Sequence, residues 1–255
     1  MRIEMDDFRQ SSVVAKNEIR KFIRGKRFTL YVVLTIFVFA LITALPYILG
    51  YDPTEIPGGA VAIHLMFVPF LVIIAATLFS SVAIVSEFEE RTALILFTRP
   101  IKKTSIFIGK IVGCIILETA MLVLFYIGMI VLAAFHEGAV SSGLFVSLGV
   151  AFAYIVSTTC IAIFISSIMK KGSTSAILTF FILGMILSII SAAIMVSADI
   201  DPWFMLDIAS NAITPADMTS EFMYVPDALT AVGTMIGWSI PSIILGWLMF
   251  IRREF

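Results

Sequence analysis

Charge is what this sequence has least of: 14% of its 255 residues are Asp, Glu, Lys or Arg, against 60% that are hydrophobic. A soluble domain must clothe itself in ionised side chains, so this balance excludes one and fits a protein solvated by lipid. Cysteine is nearly absent. Cys114 and Cys160 each lie inside an apolar run, which excludes a disulfide framework and leaves them as small packing residues. His64 and His136 are the only histidines, and no ligand spacing joins them to each other or to the cysteines, so no metal site is expected. A phosphate loop is also missing. The nearest approach, Ile108-Gly-Lys-Ile111, has Thr104 where the first glycine is needed and Ile111 where the hydroxyl is needed. This chain is therefore not expected to hydrolyse ATP itself.

What the sequence does have is long apolar runs. A helix rising about 1.5 Å per residue needs about 20 apolar residues to cross about 30 Å of hydrocarbon. Six runs meet that length: about 29–50, 59–85, 105–135, 143–169, 175–198 and 229–251. They are continuous and do not alternate, which predicts helices and not barrel strands. The expected fold is an all-α polytopic membrane protein of six transmembrane helices. The first run follows a long charged segment and has spanning length, so a cleavable signal is not expected.

Basic residues are missing from every second loop. Of the 17 Lys and Arg, 16 fall before the first run, between the second and third, between the fourth and fifth, or after the sixth, and Lys110 lies in the opening turns of the third run, on the same side. The intervening loops carry acids alone, among them Asp52, Glu137, Asp199 and Asp227. Lys and Arg are retained on the cytoplasmic side, so both termini are predicted to be cytoplasmic in a multi-pass protein of the cell membrane. The organisation expected is a cytoplasmic N-terminus over 1–28, a membrane domain over 29–251, a cytoplasmic loop over 86–104, an extracytoplasmic loop over 199–228 and a cytoplasmic tail over 252–255. Basic residues at membrane boundaries are explained by anionic lipid, and no nucleic-acid partner is indicated.

Within 1–28, Ala15, Ile19, Phe22 and Ile23 share one helical face, while Arg20 and Arg24 fall largely elsewhere. That pattern predicts an amphipathic helix at the membrane interface. The loop over 86–104 is the most informative segment. Glu87 and Arg91 form an i, i+4 pair with the acid first. An apolar patch follows at Ala93–Phe97, and Pro100 ends the helical stretch. A short amphipathic helix stopped by proline is suited to docking in a groove of a cytoplasmic partner.

Glu87, Thr92, Leu94, Leu96, Pro100, Lys103, Gly109 and Lys110 stand in one topological place with a recognisable spacing, and Glu90 lies in the same candidate coupling loop. The segment resembles the signature of type-2 ABC exporter permeases, the ABC-2 type. Arg91 stands where that family has glycine. The resemblance extends over the whole chain, and it implies a transmembrane permease subunit that pairs with a second permease subunit as a homodimer or heterodimer. It implies two cytoplasmic ABC ATPase subunits, which would hold the ATP and magnesium. It also implies that 87–103 is a coupling helix, with export as the direction of transport.

Glu118 is the one acid expected deep in a span, where an isolated charge is expensive and marks either a buried polar site or a substrate path. Two other readings stay open at this stage. One is an ion-coupled secondary transporter centred on Glu118, and the other a membrane anchor that binds a cytoplasmic complex without moving substrate.

Overall fold

A computed structural model describes residues 5–50, 59–90, 102–136, 142–218 and 224–253. The described residues are helical and contain no strand. Six helices among them are long and apolar enough to cross a membrane. The protein is a polytopic all-α membrane protein.

The chain opens with α1 (Met5–Ile23), turns at Arg24 and Gly25, and enters α2 (Lys26–Leu49). Helix α3 (Gly59–Leu78) is followed by a 3-10 turn (Ser80–Val82) and the short α4 (Val85–Glu89). Helix α5 (Lys103–His136) has 34 residues and so a length of about 51 Å, well beyond the hydrocarbon thickness of about 30 Å. Its surplus at the Lys103 end gives α1 something to pack on. Helix α6 (Gly143–Ile168) is the centre of the bundle, buried or half-buried at every position from Ala153 to Ser167, while Phe145, Val146 and Phe152 nearer its start are exposed. A helix apolar all round is the form expected of a fully enclosed span.

The fifth span comprises α7 (Gly172–Phe181), a π-helical turn (Ile182–Ile186) and α8 (Leu187–Ala198). After it, α9 (Leu206–Ser210) and a 3-10 turn (Asn211–Ile213) fold back over the bundle. Ser147 Oγ donates to the Ile213 carbonyl, Thr234 Oγ1 to Trp203 O at 3.1 Å, and Trp238 Nε1 to Phe204 O at 3.0 Å. The described part of the loop over 199–228 is thus packed against the bundle. The last span is α10 (Ala228–Arg252), started by Asp227, whose carboxylate accepts from Leu229 N at 3.2 Å.

Two helix pairs dominate the packing, α6 with α10 and α1 with α5. Ser157 of α6 donates to Met235 O of α10 at 3.1 Å, a direct bond between the two helices. By contrast α2 buries only Tyr31, Ile42 and Pro46, and most of its surface faces outward.

Candidate coupling site

The second span is interrupted where the sequence reads as one apolar run. Between Leu78 and Val85 the α-helix gives way, and in lipid each freed backbone group needs a partner. Partners arrive from three other helices. Ser175 of α7 donates to Ser81 O at 2.5 Å. Ser166 of α6 accepts from Ile84 N at 3.2 Å and Val85 N at 3.0 Å. Lys110 of α5 donates to Ala83 O at 2.7 Å. The bend is therefore built into the fold by side chains 27 to 94 positions away.

Lys110 is 3% exposed and spends all three ammonium protons. Besides Ala83 O it bonds Glu18 Oε2 of α1 at 3.0 Å and Glu87 Oε1 of α4 at 2.9 Å. Glu87 in turn accepts from Lys21 of α1 at 3.3 Å. Charges alternate along Glu18, Lys110, Glu87 and Lys21, so the four together are neutral. That neutrality lets ionised groups sit where Glu18 and Lys110 are almost wholly enclosed.

The seat for α1 is cut by two glycines. A Cβ at Gly109 would lie 2.7 Å from Ser11 O and from Val14 Cβ, and one at Gly113 would lie 3.1 Å from Ala15 O. With Asp7 bonded to Lys102 at 2.8 Å, the contacts advance together along both helices, so α1 runs parallel to the first turns of α5. Ala15 and Phe22, from the apolar face of α1, are buried, and Phe22 meets Phe79 edge-on at 5.4 Å. Ile19 is half-buried, Ile23 is 48% exposed, and Arg20 and Arg24 are exposed.

Each residue of the last turn of α4 reaches a different part of the bundle. Glu87 holds α5 and α1 as described. Phe88 lies under the Arg253 guanidinium at 4.0 Å and edge-on to Phe250 of α10 at 6.4 Å. Arg253 also donates to Ser166 O, Ser167 O and Met169 O, closing the carbonyl end of α6. Glu89 Oε2 accepts from Gly172 N at 2.7 Å, at the positive end of α7. Glu90, the residue that ends α4, is exposed.

Of the residues singled out in the sequence, the structure brings together Glu87, Gly109 and Lys110, and puts Lys103 at the exposed start of α5. Arg91, Thr92, Leu94, Leu96 and Pro100 lie outside the described residues. Glu118 is not part of this cluster. It is 1% exposed and accepts from Ser80 Oγ at 2.6 Å and Thr159 Oγ1 at 2.9 Å, tying the bend to α6. The sequence reading missed Glu18, Lys21, Glu89 and Arg253 as site residues. One signal for Glu18 was available: it stands between Ala15 and Phe22 on the apolar face of an amphipathic helix, where an unpaired acid is costly. Among the described residues there is no cluster of His, Cys, Asp and Glu that could hold a metal ion.

No curated protein matches the chain significantly. A family model described as ABC-2 family transporter protein matches residues 12–255, which takes in α1 from Ser12 onward, the ion cluster and all six spans. The chain belongs to the ABC-2 transporter family and is a multi-pass permease subunit of an ABC transporter, the kind of subunit that works with an ABC ATPase.

Proposed function

We infer that this permease exports its substrate, and that α4 with the residues following it receives the ATPase stroke. The observation that carries this reading is the anchorage of α4: Glu87, Phe88 and Glu89 engage four helices within three consecutive positions. Force applied to residues 91–101 passes first into α4. From there Lys110 leads it to α5, Glu18 and Lys21 to α1, Arg253 to α10 and Gly172 to α7. The bend between Leu78 and Val85 is where α4 can tilt against α3 without breaking an α-helix.

In this reading the α4 end of the bundle is cytoplasmic, consistent with the basic residues gathered there. Two copies of an ATPase subunit hold ATP and magnesium, and two permease subunits, alike or different, enclose the path between them. ATP-driven closure of the ATPases tilts the α1, α4 and α5 unit in each permease and opens the path to the opposite side.

The test is purification of the tagged chain from its native membrane, followed by an ATPase assay in lipid. The reading predicts that a phosphate-loop ATPase copurifies and that its turnover falls when Glu90 is reversed to Lys. A chain that purifies alone from membranes whose other complexes stay intact would contradict it.

A further inference from the structure

Parallel packing of α1 on α5 leaves a groove of about 610 Å³ between them, lined chiefly by carbon. On the α5 side Thr104, Ile108, Val112 and Ile116 recur every fourth residue and form one stripe, about 18 Å long at helical rise. Ile108, Val112 and Ile116 are 45%, 41% and 49% exposed, so the stripe is open to whatever surrounds the protein. On the α1 side stand Phe8, Ser12, Lys16 and Ile19.

The groove is graded along its length. At one end lie Lys102 and Asp7, bonded to each other, with the hydroxyls of Ser11, Thr104 and Ser105 close by. At the other end Val112 and Ile116 lie within a spanning helix, beyond Lys110 and on the way into hydrocarbon. Lys16 stands between, and helical side chains lean toward their own N-terminus, which here is the Lys102 end. Arg9 and Arg20 of α1 are exposed and add to the positive field. The Lys102–Asp7 pair is neutral, so Lys16 supplies the net positive charge of the lining. One cation beside hydroxyls at the mouth of an apolar channel matches one anionic amphiphile. A water-soluble partner cannot follow the stripe as far as Ile116.

We propose that this groove is a binding site for an anionic phospholipid, its phosphate held by Lys16 and the adjacent hydroxyls and one acyl chain lying along Ile108, Val112 and Ile116. The bound lipid would brace α1 against α5 alongside the Gly109 seat. The proposal does not depend on how the permease is coupled to its ATPase.

The experiment is native mass spectrometry of the delipidated full chain, offered phosphatidylglycerol or phosphatidylcholine with identical acyl chains. The expected result is retention of one phosphatidylglycerol in preference to phosphatidylcholine. Lys16→Glu should cut that retention about tenfold or more while leaving phosphatidylcholine unchanged, because it exchanges a cation for an anion at the headgroup. Val112→Trp should remove both lipids by filling the channel, and Ile108→Trp is the second variant of that kind. Both positions are half-open, so the larger rings meet free space and the fold persists. Equal retention of the two lipids would overturn the proposal. So would phosphatidylglycerol retention undiminished in both Trp variants, which would assign the preference to diffuse surface charge.

Discussion

Lys110 of α5 and Glu87 of α4 bond at 2.9 Å, and the same ammonium holds Glu18 of α1 at 3.0 Å. One buried cation thus joins three helices just before residues 91–101 in the chain. Removing any one of these partners leaves a buried charge under-compensated, which couples the three helices energetically.

The unit makes a non-additive prediction. Lys110→Met strands the Glu18 carboxylate in a closed site and should cost about 3–5 kcal/mol. Glu18→Met with Lys110→Met removes both charges and should be more stable than Lys110→Met alone, as read from thermal unfolding in detergent. Simple addition of the two single losses would show that the pair is not coupled.

Gly109→Ala should destabilise although alanine favours helix by about 1 kcal/mol over glycine. The new Cβ meets the Ser11 carbonyl at 2.7 Å, and backbone cannot step aside. A net loss of about 1–3 kcal/mol is expected, as for overpacking elsewhere. The check is thermal unfolding in detergent, where a Gly109→Ala midpoint equal to or above wild type would contradict the close seat.

How much of this was legible in the sequence follows from where each signal lives. The spans were legible because lipid demands about 20 apolar residues of any helix that crosses it. The amphipathic face of α1 was legible because its residues are close in sequence. Glu18 and Lys110 are 92 positions apart, and no local pattern reports that they meet. The bend after Leu78 was hidden for the same reason. Ser80 and Ser81 are compatible with a span, and the groups that stabilise the unwound backbone come from α5, α6 and α7. The π-turn at Ile182–Ile186 contains no proline and gave no sign. Glu118 was found by its charge in an apolar run, but its two hydroxyl donors became visible only in the fold.

Those donors separate two roles for Glu118. Glu118→Gln keeps the shape but puts an amide NH2 where one carboxyl oxygen accepts from a hydroxyl, so a stability loss of about 1–3 kcal/mol is expected. ATPase turnover by the assembled transporter should persist, because the carboxylate acts here as a tie between the bend and α6. Loss of turnover in a variant that keeps its thermal midpoint would instead give Glu118 a part in the transport cycle.

Arg253 should not be replaceable by lysine. Its guanidinium serves three carbonyls at the end of α6 while stacking on Phe88, and an ammonium cannot do both. Arg253→Lys should therefore speed hydrogen exchange at the amides of α4 while leaving those of α3 unchanged.

The most direct test is ATPase turnover of the assembled transporter in lipid with Glu90→Lys, Glu87→Lys and both together, each compared with Glu87→Gln as a control for folding. Glu90 is exposed and ends α4, so its reversal should lower turnover without lowering the thermal midpoint. Glu87 belongs to the ion cluster, and its reversal should lower turnover further as α4 loses its hold on Lys110. Turnover equal to wild type in the double reversal, with the ATPase still bound, would contradict the claim that α4 carries the stroke.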